Sequence, residues 1–314
     1  MEKKQPLIAV VGPTASGKTA VGIELAKEYN GEVVSADSMQ IYKGMDIATA
    51  KPDEEEMQGI PHHLISELEP TSSFSVAEYV KLAQQKIEDI AARGKLPILV
   101  GGTGLYVSSL IDNINFDNAI TDGSVRRKLT EEAERIGNEA MLERLREVDP
   151  EAAEKIPAAN LVRIIRALEV YEVTGIPFSR HKELNRMQDS LYNACMIGLT
   201  YKDRSVLYDR INRRVDIMLE KGLIEECRAV YENEKLGTAC QAIGYKEFIP
   251  YFEEIKPKEE CIDKIKQYSR NYAKRQLTWF RRDERIQWVE IEEDTAFSTI
   301  IAECKKIVAK TEIL

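Results

Sequence analysis

No stretch of this sequence approaches the ~18–20 consecutive apolar residues that a membrane span requires, so no integral membrane protein is expected. The N-terminal MEKKQPLIAV carries neither a long apolar segment nor a small-residue cleavage site, which argues against a signal peptide. Cysteine is scarce. Cys195, Cys227, Cys240, Cys261 and Cys304 make five in 314 residues, scattered, odd in number and never spaced CxxC. That pattern favours reduced thiols in a cytoplasmic protein over disulfides or a zinc site. Internal repeats and low-complexity tracts are missing too. So is any surplus of positive charge: 44 Lys and Arg stand against 53 Asp and Glu, a net charge of −9.

Taken as a sum, that charge argues against a nucleic-acid partner, but its distribution matters more. Between Lys264 and Arg285 there are eight basic residues against only Asp283 and Glu284. An acidic protein with one basic segment can still meet a polyanion locally. The remaining composition, 43% hydrophobic and 31% charged, is that of a globular protein. A length of 314 residues suits one large domain with an insertion, or two smaller ones.

Apolar runs at 7–11, 32–36 and 96–100 read as buried strands, with helices over 20–29 and 75–92 between them. Asn30-Gly31 is a stop signal for the first helix, and Ser75-Val76-Ala77-Glu78 is a capping box for the second. Strand, helix and strand at short spacing predict a parallel α/β core. From about Asp122 to Thr174 the texture becomes helical. Val125, Leu129, Ala133 and Ile136 keep helical spacing, Gly137-Asn138 interrupts it, and Met141, Leu142, Leu145 and Val148 resume it. Asp149-Pro150 and Asn160 start further helices, and Gly175-Ile176-Pro177 ends the last. Residues 195–200 and 286–289 return to strand, around helices at 205–220 and 258–280. The expectation is an α/β fold with a P-loop NTPase-like parallel sheet: core in residues 1–120, helical insertion in 121–190, and core completion with C-terminal helices in 191–314.

Gly12-Pro13-Thr14-Ala15-Ser16-Gly17-Lys18-Thr19 satisfies G-x-x-x-x-G-K-S/T at every fixed position, after a strand and before a helix. Such a loop turns backbone N–H groups onto an anion, and the helix N-terminus adds its positive end. Lys18 supplies a point charge, and the Thr19 hydroxyl is a candidate Mg2+ ligand. The next strand after 75–92 ends in Gly101-Gly102-Thr103-Gly104 with no acid, so the usual later-strand magnesium carboxylate of a P-loop NTPase is missing there. The acid sits at the end of the second strand instead, as Asp37. The cradle therefore suits a pyrophosphate that leaves better than a γ-phosphate that is transferred.

In an open α/β sheet, ligands lie beyond the carboxyl ends of the strands, so residues 12–19, Asp37 and Thr103 should converge. Asp37 is a general base or a turn cap; Thr103 contacts a phosphate or bridging oxygen, or is a turn residue. His62 and His63 read as structural. Lys266, Arg270, Lys274 and Arg281 form a helical stripe with Tyr268, Tyr272 and Trp279 interleaved, which suits a phosphate backbone and stacked bases, or else a solvated helix face. Arg126-Arg127-Lys128, Arg163 and Arg166 add basic residues in the insertion.

GPTASGKT, SADSMQIY, GGTGLY, NLVRIIRALE (160–169) and AIGYKEF (242–248) together resemble the bacterial tRNA dimethylallyltransferases, also called tRNA isopentenyltransferases, from about residue 7 to 285. The resemblance implies transfer of a dimethylallyl group from dimethylallyl pyrophosphate to the exocyclic amine of the adenosine 3′ of the tRNA anticodon. It implies Asp37 as base, and Thr103 beside the pyrophosphate and target nucleotide. Within the cradle of Gly12 to Thr19, residues Thr14 to Thr19 with Mg2+ would hold the pyrophosphate, and Arg214, in DRINRRVD, would line the reaction channel. It implies contacts to the tRNA anticodon stem-loop from Asp37, Ser38, Met39, Gln40, Thr103, Arg126, Arg163 and Arg166. The chain lacks the C-terminal Cys/His spacing of eukaryotic members, so the short bacterial form is expected, as a cytoplasmic monomer away from membranes.

Three other readings share some of these residues. An adenylate isopentenyltransferase would need the cradle, Asp37 and Thr103 but not the helical insertion or the basic stripe. A small-molecule kinase of the shikimate kinase type would use Asp37 on a hydroxyl. A nucleotide-gated RNA-binding module would use the cradle as a switch.

Overall fold

Apolar runs that are continuous, and do not alternate, become strands covered on both faces. The computed structural model describes residues 4–114, 116, 123–181, 189–232, 239, 242–311 and 313. β1 (Gln5–Val11) leads through the glycine-bounded loop into α1 (Lys18–Glu28). β2 (Gly31–Ser35), a short α2 (Glu54–Met57) and the two-residue β3 (His62–His63) follow. Next come α3 (Val76–Ala92), β4 (Leu96–Gly101) and α4 (Gly104–Ile111). A run of helices succeeds them: α5 (Ser124–Ile136), α6 (Asn138–Val148), α7 (Pro150–Lys155) and α8 (Leu161–Thr174). β5 (Tyr192–Tyr201), α9 (Arg204–Glu220), α10 (Leu223–Tyr231) and α11 (Tyr245–Phe252) lead to α12 (Lys258–Phe280), β6 (Gln287–Ile291) and α13 (Phe297–Lys310).

The six strands form one sheet in the order β3-β2-β4-β1-β5-β6, parallel at every pairing. β1 is central, with Ile8 opposite Ile98 of β4 and Cys195 of β5. Val21 and Leu25 of α1 and Ile300, Cys304 and Val308 of α13 pack into this core. Since every strand runs the same way, the residues after β1, β2 and β4 leave the sheet along one edge, where α/β folds bind ligands.

The chain divides into two compact units, residues 1–111 with 191–314 and residues 112–190. The sheet belongs to the first. The described elements of the second are α5 to α8, around a core that includes Leu129, Met141, Leu145, Ile164 and Leu168. Gly137 separates α5 from α6, and Asp149 caps α7 by accepting from the Ala152 amide at 3.0 Å. Asp149 is buried and also takes the Ser179 amide and hydroxyl, each at 2.8 Å, which ties down the end of this unit. Ile136, at helical spacing with Val125, Leu129 and Ala133, is exposed, because α5 ends there.

Other sequence expectations shift at boundaries. The left-handed residue that ends α1 is Asn30, φ 49°, and not Gly31. Gly31 already lies in β2, where a Cβ would stand 2.6 Å from the Leu96 carbonyl oxygen, so its smallness serves strand packing. β5 is longer at both ends than residues 195–200. α4, α10 and α11 begin at or just after glycines, Gly104, Gly222 and Gly244, where the local pattern does not announce a helix. Among the described residues no helix is long and apolar enough to cross a membrane.

Candidate active site

The loop after β1 is shaped by close packing. Gly12 has φ 146°, and a Cβ there would lie 2.5 Å from the carbonyl oxygen of Leu199 in β5, so only glycine fits. Gly17 takes a left-handed conformation as N-cap of α1 and offers no side-chain cap, leaving the first amides of that helix for a ligand. Ala15, φ 62°, is a left-handed non-glycine residue at the loop's tip, a strain typical of functional turns. The Ser16 hydroxyl is buried and meets no hydrogen-bond partner among the described residues. Lys18 reaches back across the loop, its Nζ donating to the Pro13 carbonyl at 2.7 Å. Burial, aided by the Arg214 cation and opposed by Asp37, pushes its pKa down to about 7.

Asp37 follows β2 in a tight turn. Its Oδ1 accepts the Met39 amide at 2.9 Å and, more weakly, the Gln40 amide at 3.4 Å. Thr103 closes on the same turn: its amide donates to Ala36 O at 3.1 Å and its Oγ1 accepts from the Ser38 amide at 3.1 Å. Thr103 thus braces Asp37 and Ser38 across the β2–β4 edge. The Gln40 side-chain Nε2 donates to the carbonyls of Thr49 and Ala50, at 3.3 and 3.2 Å. Arg214, on α9, donates from Nη1 to Thr14 Oγ1 at 3.0 Å, and burial holds its pKa below the usual arginine range.

Two cavities meet these residues. One of about 70 Å³ is lined by Lys18, Thr19, Ser35, Asp37 and His62 among others. The other, of about 250 Å³, has an apolar wall that includes Ile211, Val215, Met218, Leu223 and Ile265. Thr14, Asp37, Thr49, Arg214 and Tyr272 line both. The smaller holds an ammonium, hydroxyls and a carboxylate, a hard-donor set that suits a diphosphate with Mg2+. Among the described residues no three His, Cys, Asp or Glu could hold a metal ion, so a cation here would draw most of its ligands from the phosphate oxygens and water.

The comparisons with known proteins agree with one another. The family model described as IPP transferase matches residues 40–283, well over half of the chain. The tRNA dimethylallyltransferase of Acetivibrio thermocellus is 49% identical over 305 residues, covering 96% of this chain and 97% of that protein. The chain belongs to the IPP transferase family. The Bacillus subtilis tRNA dimethylallyltransferase is likewise 49% identical, over 92% of this chain and 91% of its own length. The crystal structure of a tRNA isopentenylpyrophosphate transferase from Bacillus halodurans matches with a TM-score of 0.74 at 46% identity, covering 98% of this chain and 97% of that one. A eukaryotic dimethylallyltransferase described as acting on tRNA matches with a TM-score of 0.81 at 30% identity, covering 98% of this chain and 80% of that one.

In this member of the family the structure brings Thr14, Lys18, Thr19, Asp37, Gln40 and Arg214 to one place, with Ser38, Met39 and Thr103 in the adjoining turn. Arg126, Arg163 and Arg166 belong to the separate helical unit. There Arg126 and Arg166 both donate to the buried Glu169 at 2.7 Å, while Arg163 is exposed. Burial pushes the Glu169 carboxyl up, but the hydrogen bonds from the two arginines outweigh it and hold the pKa below its ordinary value.

The basic stripe on α12 divides. Lys266 pairs with Asp216 at 2.6 Å and Arg270 bonds Asn212, so both serve the α9–α12 contact. Lys274, Arg275, Arg281 and Arg282 are exposed, with Trp279 and Tyr268 partly so. The histidines behave differently from each other. His63 bonds the buried Glu32, itself held by Arg93 and Lys95. His62 donates from Nδ1 to the Ile60 carbonyl at 2.8 Å, and its buried Nε2 has no partner among the described residues.

Sequence reasoning missed Tyr272 as a cavity residue and Gln276 and Glu226 altogether. Tyr272 is flanked by Asp37, Thr103, Arg275 and Gln276, and burial raises its pKa. Each comes from a helix far along the chain, and no local pattern marks it. The only available signal is that Tyr272 and Gln276 share one α12 face at i, i+4.

Proposed function

We propose that this chain transfers a dimethylallyl group from dimethylallyl diphosphate to the exocyclic amine of the adenosine 3′-adjacent to the anticodon in tRNA, releasing pyrophosphate. The observation that carries the reading is the juxtaposition of a P-loop, a strand-end carboxylate and a partly buried arginine around two cavities, one polar and one apolar-walled, in a member of the IPP transferase family.

The diphosphate would occupy the loop of residues 12–19. The amides at the start of α1 and the Lys18 ammonium, swung from the Pro13 carbonyl, would carry its charge. Thr19 and the diphosphate oxygens would hold Mg2+, which neutralises charge on the leaving group. Arg214 would face the same oxygens from the Thr14 side. The apolar wall of the larger cavity would receive the five-carbon group and keep water from an electron-poor allylic carbon. The adenosine amine forms its bond to that carbon as the carbon–oxygen bond to the diphosphate breaks. The amine proton passes to Asp37, whose Oδ1 is already oriented by two amides. Reaching this pocket requires the base to leave the anticodon-loop stack, at a cost of a few kcal/mol. The exposed cations of α12 and Arg163 would meet the RNA backbone. The same reading takes the active species as a monomer.

The test is transfer of label from dimethylallyl diphosphate, with Mg2+, to unmodified tRNA, AMP or ATP in parallel. Label in tRNA alone supports the proposal; label in AMP or ATP moves the acceptor to free nucleotides. Asp37→Asn should lower turnover by roughly 10²–10⁴-fold while tRNA affinity persists. Unchanged turnover removes Asp37 from the base role.

A further inference from the structure

Gln276 lies on the buried face of α12, 5% exposed, between two catalytic loops that approach it from other parts of the chain. Its Oε1 accepts the Thr14 amide at 2.8 Å and its Nε2 donates to the Gly102 carbonyl at 2.9 Å. Exchanging the amide oxygen and nitrogen would set donor against donor and acceptor against acceptor, so this orientation alone satisfies both partners. Thr14 is held from its other side by Arg214. A Cβ on Gly102 would stand 2.1 Å from Gln276 Nε2, so any side chain there would push the Gln276 amide out of its place. One helical step further on, a Cβ on Gly104 would stand 2.3 Å from the Trp279 ring. Gly102 and Gly104 therefore admit α12, and Gln276 is the polar group that α12 inserts between the turn and the cradle.

We propose that Gln276 is a positioning residue for the diphosphate cradle. It fixes the Thr14 amide and the gap between the loop of residues 12–19 and the Gly102 carbonyl before the anion arrives. The inference rests on the diphosphate reading given above. A loop held in its binding geometry loses less freedom when ligand binds, and the gain appears as affinity. Thr14 begins the loop's turn, so loosening it on the α12 side displaces the amides that follow.

The experiment is calorimetric titration of inorganic pyrophosphate, with Mg2+, into the full chain and into Gln276→Met, Gln276→Glu and Lys18→Met. Methionine preserves volume and neither hydrogen bond. Glutamate preserves the acceptor for Thr14 but sets a carboxylate oxygen against the Gly102 carbonyl and a negative charge near the anion. Gln276→Met should weaken pyrophosphate binding about tenfold, the loss of two hydrogen bonds, and Gln276→Glu should weaken it more. Both should retain tRNA affinity within about twofold, and KM for the prenyl diphosphate should rise by more than kcat falls. Wild-type pyrophosphate affinity in Gln276→Met overturns the proposal. So does an equal loss of pyrophosphate and tRNA binding together with a large fall in Tm, which marks a purely structural residue. A wild-type chain that binds pyrophosphate no better than Lys18→Met removes the diphosphate reading itself.

Discussion

Lys18 starts from an unusual state. Its ammonium rests on the Pro13 carbonyl, and burial with the Arg214 cation brings its pKa to about 7. A bound diphosphate favours the charged form and so raises that pKa. The sign follows from linkage. Below pH ~7 the lysine is already charged and binding takes up little proton, while above it binding draws a proton in and affinity falls as pH rises. Pyrophosphate titrations in buffers of different ionisation enthalpy should show an uptake of about one proton at pH 8 and much less at pH 6. Equal uptake at the two pH values would sink the account of a neutral lysine in the free protein. Residues 12–19 were legible because their geometry is local: eight consecutive residues specify the loop. Arg214 and Gln276 complete it from 200 and 262 positions away, a proximity no contiguous pattern encodes.

At the level of elements, α10 controls a loop that lines the site. Glu226 accepts the amides of Asp46, Ile47 and Ala48 at 2.8, 2.8 and 2.9 Å, and the Tyr245 hydroxyl at 2.8 Å. One carboxylate thus joins the segment after Gln40 to the start of α11. Replacing it by alanine strands four donors, at a cost of about 2–3 kcal/mol. For a unit of this size that corresponds to a fall in Tm of roughly 4–10 °C. Glu226→Gln, which keeps part of the acceptor set, should fall less. A Tm for Glu226→Ala equal to wild type would show that the clamp carries no stability. α12 teaches a related lesson. Its helical period was readable, but the period alone did not say which cations face solvent. Asp216 and Asn212 of α9 claim Lys266 and Arg270 and leave the C-terminal half of the stripe exposed.

At the scale of the whole molecule, two units each have their own core, and within the helical unit the arginines have different jobs. Arg163 is exposed near the start of α8, so Arg163→Ala should weaken tRNA binding and reduce the slope of log affinity against log salt by about one, leaving Tm unchanged. Arg126→Ala should instead lower Tm, because it removes one of two cations from the buried Glu169. Fluorescence titration at several salt concentrations, with thermal denaturation alongside, separates the two. Identical behaviour of the variants would refute the division. The net charge of −9 did not exclude a polyanionic partner, since binding depends on where cations are exposed and not on their sum.

The sequence by itself determined every strand but the two-residue β3, the cradle and the helical texture of the insertion, because those depend on residues near one another in the chain: apolar runs, glycine spacing and caps. It also carried enough family motifs to name the chemistry expected. Tertiary structure alone decided how the site is closed. The order β3-β2-β4-β1-β5-β6 sets Asp37 and the Gly102 turn beside the cradle, and α9 and α12 then supply Arg214, Tyr272 and Gln276. Those contacts arise from packing between distant segments, where burial and hydrogen-bond satisfaction, not local propensity, select the partners.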